Sequence, residues 1–131
     1  MVLAFVGAFR APPQGPQSSG PSVWSVDIVT VKAGERENYR RFLEANWAKA
    51  RRTAKSQGDI RSYHAVFADS AGQTEVLLMT EYPDSARYNR REEIFQPILR
   101  AQGRTLIDGK ATRELTDRLV GKDYTEVLGE K

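Results

Sequence analysis

Cysteine is absent from the 131-residue chain, and histidine occurs once. The absence of cysteine excludes a disulfide framework, a thiolate nucleophile and a cysteine-built zinc or iron–sulfur site. A single histidine excludes a histidine-rich metal site and a catalytic pair of histidines. No apolar run approaches the roughly 20 residues that span a bilayer, so the sequence predicts no stable membrane insertion.

The net charge is also small, because 20 basic residues and 17 acidic residues leave a balance of only +3. So small an excess does not by itself indicate a nucleic-acid partner, and we predict none. The basic residues of the first predicted helix are interleaved with glutamates and lack a glycine-rich clamp, which favours a solvated face. They are Arg36, Arg40, Arg41, Lys49, Arg51, Arg52 and Lys55.

The first 22 residues differ in composition from the rest. Residues 2–9 are apolar throughout, and residues 11–22 consist of Ala, Pro, Gly, Gln and Ser, which is typical of a linker. The apolar stretch has the length of a secretory hydrophobic region but lacks a preceding basic segment. An export-signal remnant, an apolar tail and a short strand stay open. We favour the first, and with it a periplasmic or secreted location over a cytoplasmic one.

Residues 23–131 have the composition and length of one globular domain. Alternation of β-branched and aromatic residues predicts strands, and apolar spacing of three or four residues predicts helices. The predicted order is a strand over 23–32, a helix over 35–57, strands over 60–69 and 74–82, a helix from 85 to about 103 and a closing strand over 124–128. Residues 113–120 fit either a helical turn or extended chain.

The second predicted helix carries two sequence signals. Asp84 or Ser85 is a suitable N-cap, because its side-chain oxygen can accept hydrogen bonds from the first backbone N–H groups. Pro97 is expected to kink the helix or begin a new segment, because proline clashes with the preceding turn.

The order strand, helix, strand, strand, helix, strand predicts an α+β fold of the βαββαβ ferredoxin-like type, an antiparallel sheet with two helices on one face. With the aromatic first helix (YRRFLEANWAKA) and the segment EYPDS that leads into the second helix, the chain resembles the ferredoxin-like dimeric α/β-barrel superfamily. This resemblance implies a homodimer packed sheet to sheet, with a ligand cavity beside the sheet. It also draws attention to Asn46, Trp47 and Tyr39, because cofactor-free oxygenases of the superfamily use such groups.

Each predicted strand has two faces, because side chains alternate. Choosing the more apolar set of each strand places Trp24, Val26 and Ile28 under the helices. The opposite face then holds Asp27, His64 and Glu81 among apolar residues. The apolar residues predicted on that opposite face are Val29, Val31, Val66, Leu77 and Met79. A face so apolar predicts a second copy packed against it.

His64 is the only side chain whose ordinary pKa lies near neutrality, so His64 with Asp27 or Glu81 is the candidate general acid–base site. A strand histidine that only hydrogen-bonds a neighbour at a dimer seam is the structural alternative. The same three residues are possible metal ligands, and His64 is a possible haem ligand. No spacing motif supports either, so we predict no metal and no cofactor.

Two functions stay open. The first is the binding of a small hydrophobic or aromatic molecule, with Met79, Val29, Tyr82 and Trp47 as candidate ligand contacts. The second is a cofactor-independent enzyme of the isomerase, lyase or monooxygenase type, with His64 as the general base.

Overall fold

A computed structural model describes residues 21–124 of the chain. The strands are β1 (Val23–Val31), β2 (Ser62–Ser70), β3 (Gln73–Tyr82) and β4 (Thr116–Tyr124). The α-helices are α1 (Arg36–Phe42), α2 (Ala48–Ser56), α3 (Ser85–Asn89), α4 (Arg91–Gln102) and α5 (Thr112–Leu115), with a π-helical segment (Leu43–Trp47) between α1 and α2. Within the described part of the chain, no helix is long and apolar enough to cross a membrane.

The four strands form one antiparallel sheet in the order β2-β3-β1-β4. β2 and β3 are joined by a tight turn in which Ala71 and Gly72 both have positive φ angles, 54° and 79°. Two consecutive positive φ angles are typical of the hairpin turn that matches the twist of antiparallel strands. The predicted ferredoxin-like α+β fold is confirmed.

α1, the π-helical segment and α2 follow one another without a break and form the first long helix, 36–56. The helical prediction for 35–57 is therefore confirmed to within one residue at each end. Its buried stripe faces the sheet. That stripe consists of Tyr39, Phe42, Leu43, Ala50 and Ala54.

The second helical region is divided at Arg90, whose backbone angles leave the helical range. Asp84 is the N-cap of α3, because its carboxylate accepts a hydrogen bond from the Arg87 backbone N–H at 2.7 Å. Pro97 lies inside α4 and begins no new segment, contrary to one form of the prediction. Pro97 has no N–H group to donate to the Glu93 carbonyl. Because both residues are exposed, water can donate a hydrogen bond to that carbonyl instead.

Among the described residues, a fourth strand lies just before the predicted closing strand. A short helix, α5, buries Leu115 completely, and β4 begins at the next residue and continues to Tyr124. The predicted strand over 124–128 falls almost entirely outside the described residues. β4 is exposed along most of its length, so its sequence carries little of the apolar alternation that reveals a strand.

The pairing register corrects the predicted faces of β1. Val29 pairs with the core residue Val76, and Asp27 pairs with Leu78, so Asp27 and Val29 face the helices. The prediction that Trp24, Val26 and Ile28 face the helices is wrong. Both faces of β1 are apolar, and composition alone therefore selected the wrong one.

The face of the sheet opposite the helices is called the open face below. Several of its apolar members are large and partly exposed, with Val66 at 48%, Val120 at 37% and Tyr124 at 42% of their full exposure, whereas Val26 is buried. They continue across all four strands. The other apolar residues of the open face are Trp24, Val26, Ile28, Leu77 and Met79.

Candidate functional site

A cavity of about 630 Å³ lies between the sheet and α4 and is called the sheet compartment. The sheet contributes Asp27, Tyr82 and the stretch Gly121, Lys122 and Asp123. The helices contribute Arg51, Tyr88, Arg91, Glu92, Phe95 and Leu99. Its lining therefore combines acidic, basic, phenolic and apolar groups, the mixture of side chains from which polar small-molecule sites are built.

Arg51 on α2 points toward the sheet and forms one side of this compartment. Its Nε atom donates a hydrogen bond to Oγ1 of Thr80 at 3.2 Å. Its guanidinium carbon lies 4.9 Å from the ring centre of Trp47 and 4.3 Å from that of Phe95. Two aromatic faces therefore hold the cation by cation–π attraction and fix the plane of its donors.

The sequence interpretation of Arg51 as part of a solvated face is wrong. Trp47 and Leu43 precede it by four and eight residues, which is the spacing of one helix face. This spacing was the signal that could have identified Arg51. The helical spacing of Arg51 was overlooked because Arg51 stands in a basic stretch with Arg52, and Arg52 is indeed exposed.

Asp27 on β1 is half-buried and faces Arg51 across the sheet compartment. Burial raises the pKa of Asp27, and the nearby charge of Arg51 opposes that rise only in part. Burial lowers the pKa of Arg51, while the nearby Tyr82 and Asp27 oppose the fall. Asp27 is therefore a carboxyl group whose proton is held more tightly than usual, in a cavity that a ligand can enter.

Gly121 on β4 makes room for the Asp27 carboxylate. The two residues are direct cross-strand partners, and a Cβ atom on Gly121 would lie 2.8 Å from Oδ1 of Asp27. Any larger residue at this position would force the carboxylate to move. The glycine thus allows Asp27 to occupy the floor of the compartment.

Three tyrosines near this floor are held in the protonated form. Burial, reinforced by the charge of Asp27, raises the pKa of Tyr39 to about 12. Burial also raises the pKa of Tyr82. Burial and a hydrogen bond to Asp123 raise the pKa of Tyr88 to about 12. Tyr82 and Tyr88 therefore line the compartment as neutral hydroxyl groups at ordinary pH.

A second cavity of about 470 Å³, called the helix compartment, adjoins the first, because Arg51 and Leu99 line both. Its other walls are Phe42, Asn46, Trp47, Gly103 and Arg104. These walls are mainly apolar, and the charged side chains among them are both arginines. Arg51 thus separates the polar sheet compartment from the mainly apolar helix compartment.

Asn46 lies in the π-helical segment and fixes the loop that closes the helix compartment. Its amide donates to the carbonyl oxygens of Phe42 at 3.0 Å and Thr105 at 2.8 Å, and its Oδ1 accepts from the Thr105 backbone N–H at 2.8 Å. Gln102 donates to the Asn46 backbone carbonyl. The side chain is thus committed to the protein backbone, so its role here is to hold the loop.

The three predicted catalytic residues do not come together within the subunit. His64 is exposed on the open face and stacks with Trp24, with ring centres 6.4 Å apart. Glu81 lies on that same face, whereas Asp27 lies on the helix-covered face. The prediction that all three share a face is wrong, because it rested on the inverted faces of β1.

Glu81 already has hydrogen-bond partners. Its carboxylate accepts hydrogen bonds from the hydroxyl groups of Ser22 at 2.6 Å and Ser62 at 2.7 Å, and Arg61 lies 3.7 Å away. The network joins β2 and β3 to the start of β1. Among residues 21–124, no group of three or more potential metal-ligating side chains is arranged to hold an ion.

The four predicted ligand contacts divide equally. Tyr82 lines the sheet compartment and Trp47 lines the helix compartment. Val29 is completely buried in the core and reaches neither compartment, and Met79 lies on the open face. The predicted set is therefore corrected by the structure at Val29 and Met79.

Comparison with solved structures finds the same fold in several proteins. A dimeric ferredoxin-like protein from an uncultured marine organism superposes with a TM-score of 0.59 at 11% identity, over 88% of this chain and 95% of that one. A proposed antibiotic biosynthesis monooxygenase from Bacillus cereus gives 0.54 at 13%, over 86% and 99%. An uncharacterised NIPSNAP-like domain protein from Burkholderia xenovorans gives 0.55 at 14%, over 84% and 89%.

No family model matches the sequence, and no curated protein matches it. At these identities the structural likeness establishes the fold alone. The resemblance inferred from the element order and the aromatic first helix is confirmed at that level.

Proposed function

We propose that this protein binds a small aromatic or hydrophobic molecule in the paired compartments between the sheet and the helices. The observation that carries the proposal is the position of Arg51, held between Trp47 and Phe95 at the junction of two cavities. Apolar walls with a few oriented polar groups are typical of small-molecule sites. An aromatic ligand could contact Trp47, while its polar substituents meet Asp27 and Tyr82.

Leu99 provides a test, because it lines both compartments yet is 47% exposed. Leu99→Trp should fill the junction and raise the Kd of a neutral probe, 2-naphthamide, by roughly 10-fold or more. Because Leu99 is partly exposed, this substitution creates no cavity in the core. The matched control is Leu106→Trp, because Leu106 is 48% exposed and lines neither compartment. The measurement is an NMR titration of the full chain.

Equal binding by the two variants would contradict a site at this junction. Native mass spectrometry of the protein purified from its own host is the companion experiment, because it detects a retained ligand directly. A retained molecule that Leu99→Trp loses and Leu106→Trp keeps would support the proposal.

A second candidate function is cofactor-independent catalysis with Asp27, in place of His64, as the acid–base group. Its support is the combination of a raised pKa and a position inside a cavity. If the retained ligand is incubated with the full chain, turnover appears as a change in ligand mass. Asp27→Asn should abolish the change and preserve binding. Equal turnover by that variant would exclude Asp27 as the acid–base group.

We propose further that the open face packs against a second copy of the chain. Apolar residues on all four strands lie there, and the ferredoxin-like protein from the marine organism is described as dimeric. An exposed apolar surface of this kind is unusual in a monomer. Sedimentation of the full chain should show a dimer at micromolar concentration, and a monomer there would contradict the proposal.

A further inference from the structure

The positive charge of Arg51 has few partners in the part of the chain that the structure describes. Of the five N–H donors of a guanidinium, the one on Nε meets Thr80. No carboxylate of residues 21–124 lies within 4.0 Å of Arg51, and Asp27 acts on it only through space. The rings of Trp47 and Phe95 lie close to the guanidinium, but an aromatic face is a much weaker acceptor for its remaining N–H groups than an anion would be.

The two compartments beside Arg51 differ in charge. The sheet compartment contains three acidic residues, Asp27, Glu92 and Asp123, which offset the positive charges of Arg51, Arg91 and Lys122 in its lining. The helix compartment contains no acidic residue, and Arg104 adds a second positive charge to its wall. A negatively charged group near Arg51 is therefore favoured on the side of the helix compartment.

We propose that the ligand is a planar aromatic carboxylate, which binds Arg51 through its carboxylate and packs its ring against Trp47 and Phe42 in the helix compartment. This inference rests on the proposed function and specifies its ligand. A guanidinium presents two parallel donors that match the two oxygens of a carboxylate. The apolar walls of Phe42, Trp47 and Leu99 suit the ring.

The experiment compares 2-naphthoate with 2-naphthamide, which has nearly the same shape and no charge. The chain has two tryptophans, so Trp24→Phe leaves the indole N–H of Trp47 as a single NMR signal inside the helix compartment. Both compounds should shift this signal. Naphthoate should bind roughly 10-fold or more tightly than the amide, because its hydrogen bonds to arginine are charge-assisted.

Arg51→Met in the same background should remove the preference, because the loss of the guanidinium weakens the binding of 2-naphthoate far more than that of 2-naphthamide. A residual shift of the Trp47 signal by 2-naphthamide shows that the variant is folded. Arg52→Met is the matched control, because Arg52 is the exposed neighbour on the same helix. It should keep the preference in full.

Three results separate the possible failures. If the amide binds the unsubstituted Arg51 protein as tightly as naphthoate, the carboxylate assignment is wrong and the proposed site stands. If neither compound shifts the Trp47 signal, the proposed site itself is contradicted. If naphthoate is preferred but Arg51→Met retains that preference, Arg51 is not the anion-binding residue.

Discussion

Asp27 and Arg51 are opposite charges that the protein places in one cavity without a direct ion pair. Burial destabilises the charged form of each, which raises the pKa of Asp27 and lowers the pKa of Arg51. Arginine remains charged despite such a shift, because its ordinary pKa is so high. The carboxyl group is therefore the member of the pair whose protonation can change, and its pKa has consequences for stability.

The folded chain holds the Asp27 proton more tightly than the unfolded chain. The stabilisation linked to that proton is complete below the unfolded pKa and is lost as the pH rises through the folded pKa. Asp27→Asn cannot ionise, so its free energy of unfolding relative to the native chain should increase between pH 3 and pH 7. Urea unfolding at the two pH values measures the change.

The control for this prediction is Asp117→Asn, because Asp117 is an exposed carboxylate on β4. For Asp117→Asn, the free energy of unfolding relative to the native chain should not increase between pH 3 and pH 7, whereas for Asp27→Asn it should. A relative stability of Asp27→Asn that falls toward pH 7 would mean that the attraction of Arg51 outweighs the burial of the carboxylate.

Single residues were predicted well where a local rule applies. The cap at Asp84 follows from its own side chain and the first turn of α3, and the structure confirms it. The face of Asp27 depends instead on which side of β1 meets the helices. Since Val29 and Val31 on one side are as apolar as Val26 and Ile28 on the other, only long-range packing decides.

At the scale of elements, the turn between β2 and β3 contains a residue that its conformation does not favour. Ala71 has a φ angle of 54°, where a Cβ atom approaches the backbone closely. Asn-Gly is the preferred sequence for two consecutive positive φ angles. Ala71→Asn should therefore raise the free energy of unfolding by about 0.5–1 kcal/mol, measured by urea unfolding.

Ala71→Val is the matched variant, because a β-branched side chain suits this conformation least. It should lower the free energy of unfolding at the same exposed site. Stabilisation by valine, or no gain from asparagine, would show that the turn does not hold the described conformation in solution.

The interiors of elements were more predictable than their ends and interruptions. The first long helix has a continuous apolar stripe, so its extent could be read from the sequence. The π-helical segment could not, because it depends on the bonds of Asn46 to Phe42 and to distant Thr105. β4 escaped prediction because an edge strand with eight exposed residues lacks a buried face to mark it.

At the scale of the whole molecule, the fold puts the sheet and helix compartments and the open face on opposite sides of the same sheet. β1 connects them, because Asp27 faces the compartment while its neighbours Val26 and Ile28 face the other way. Dimerisation through the open face would therefore leave the paired compartments accessible. It would also shelter His64 and Trp24, which stack on that face.

Adjacent residues of β4 allow a sharp test of this arrangement. Val120 pairs with Ile28 on the open face, whereas Leu119 pairs with Val29 on the side of the helices and is 56% exposed. Val120→Glu would bury two unpaired carboxylates in a two-fold interface and should weaken dimerisation on the order of 100-fold or more. Leu119→Glu should leave the sedimentation profile unchanged. Equal behaviour of the two variants would mean that association, if it occurs, uses another surface.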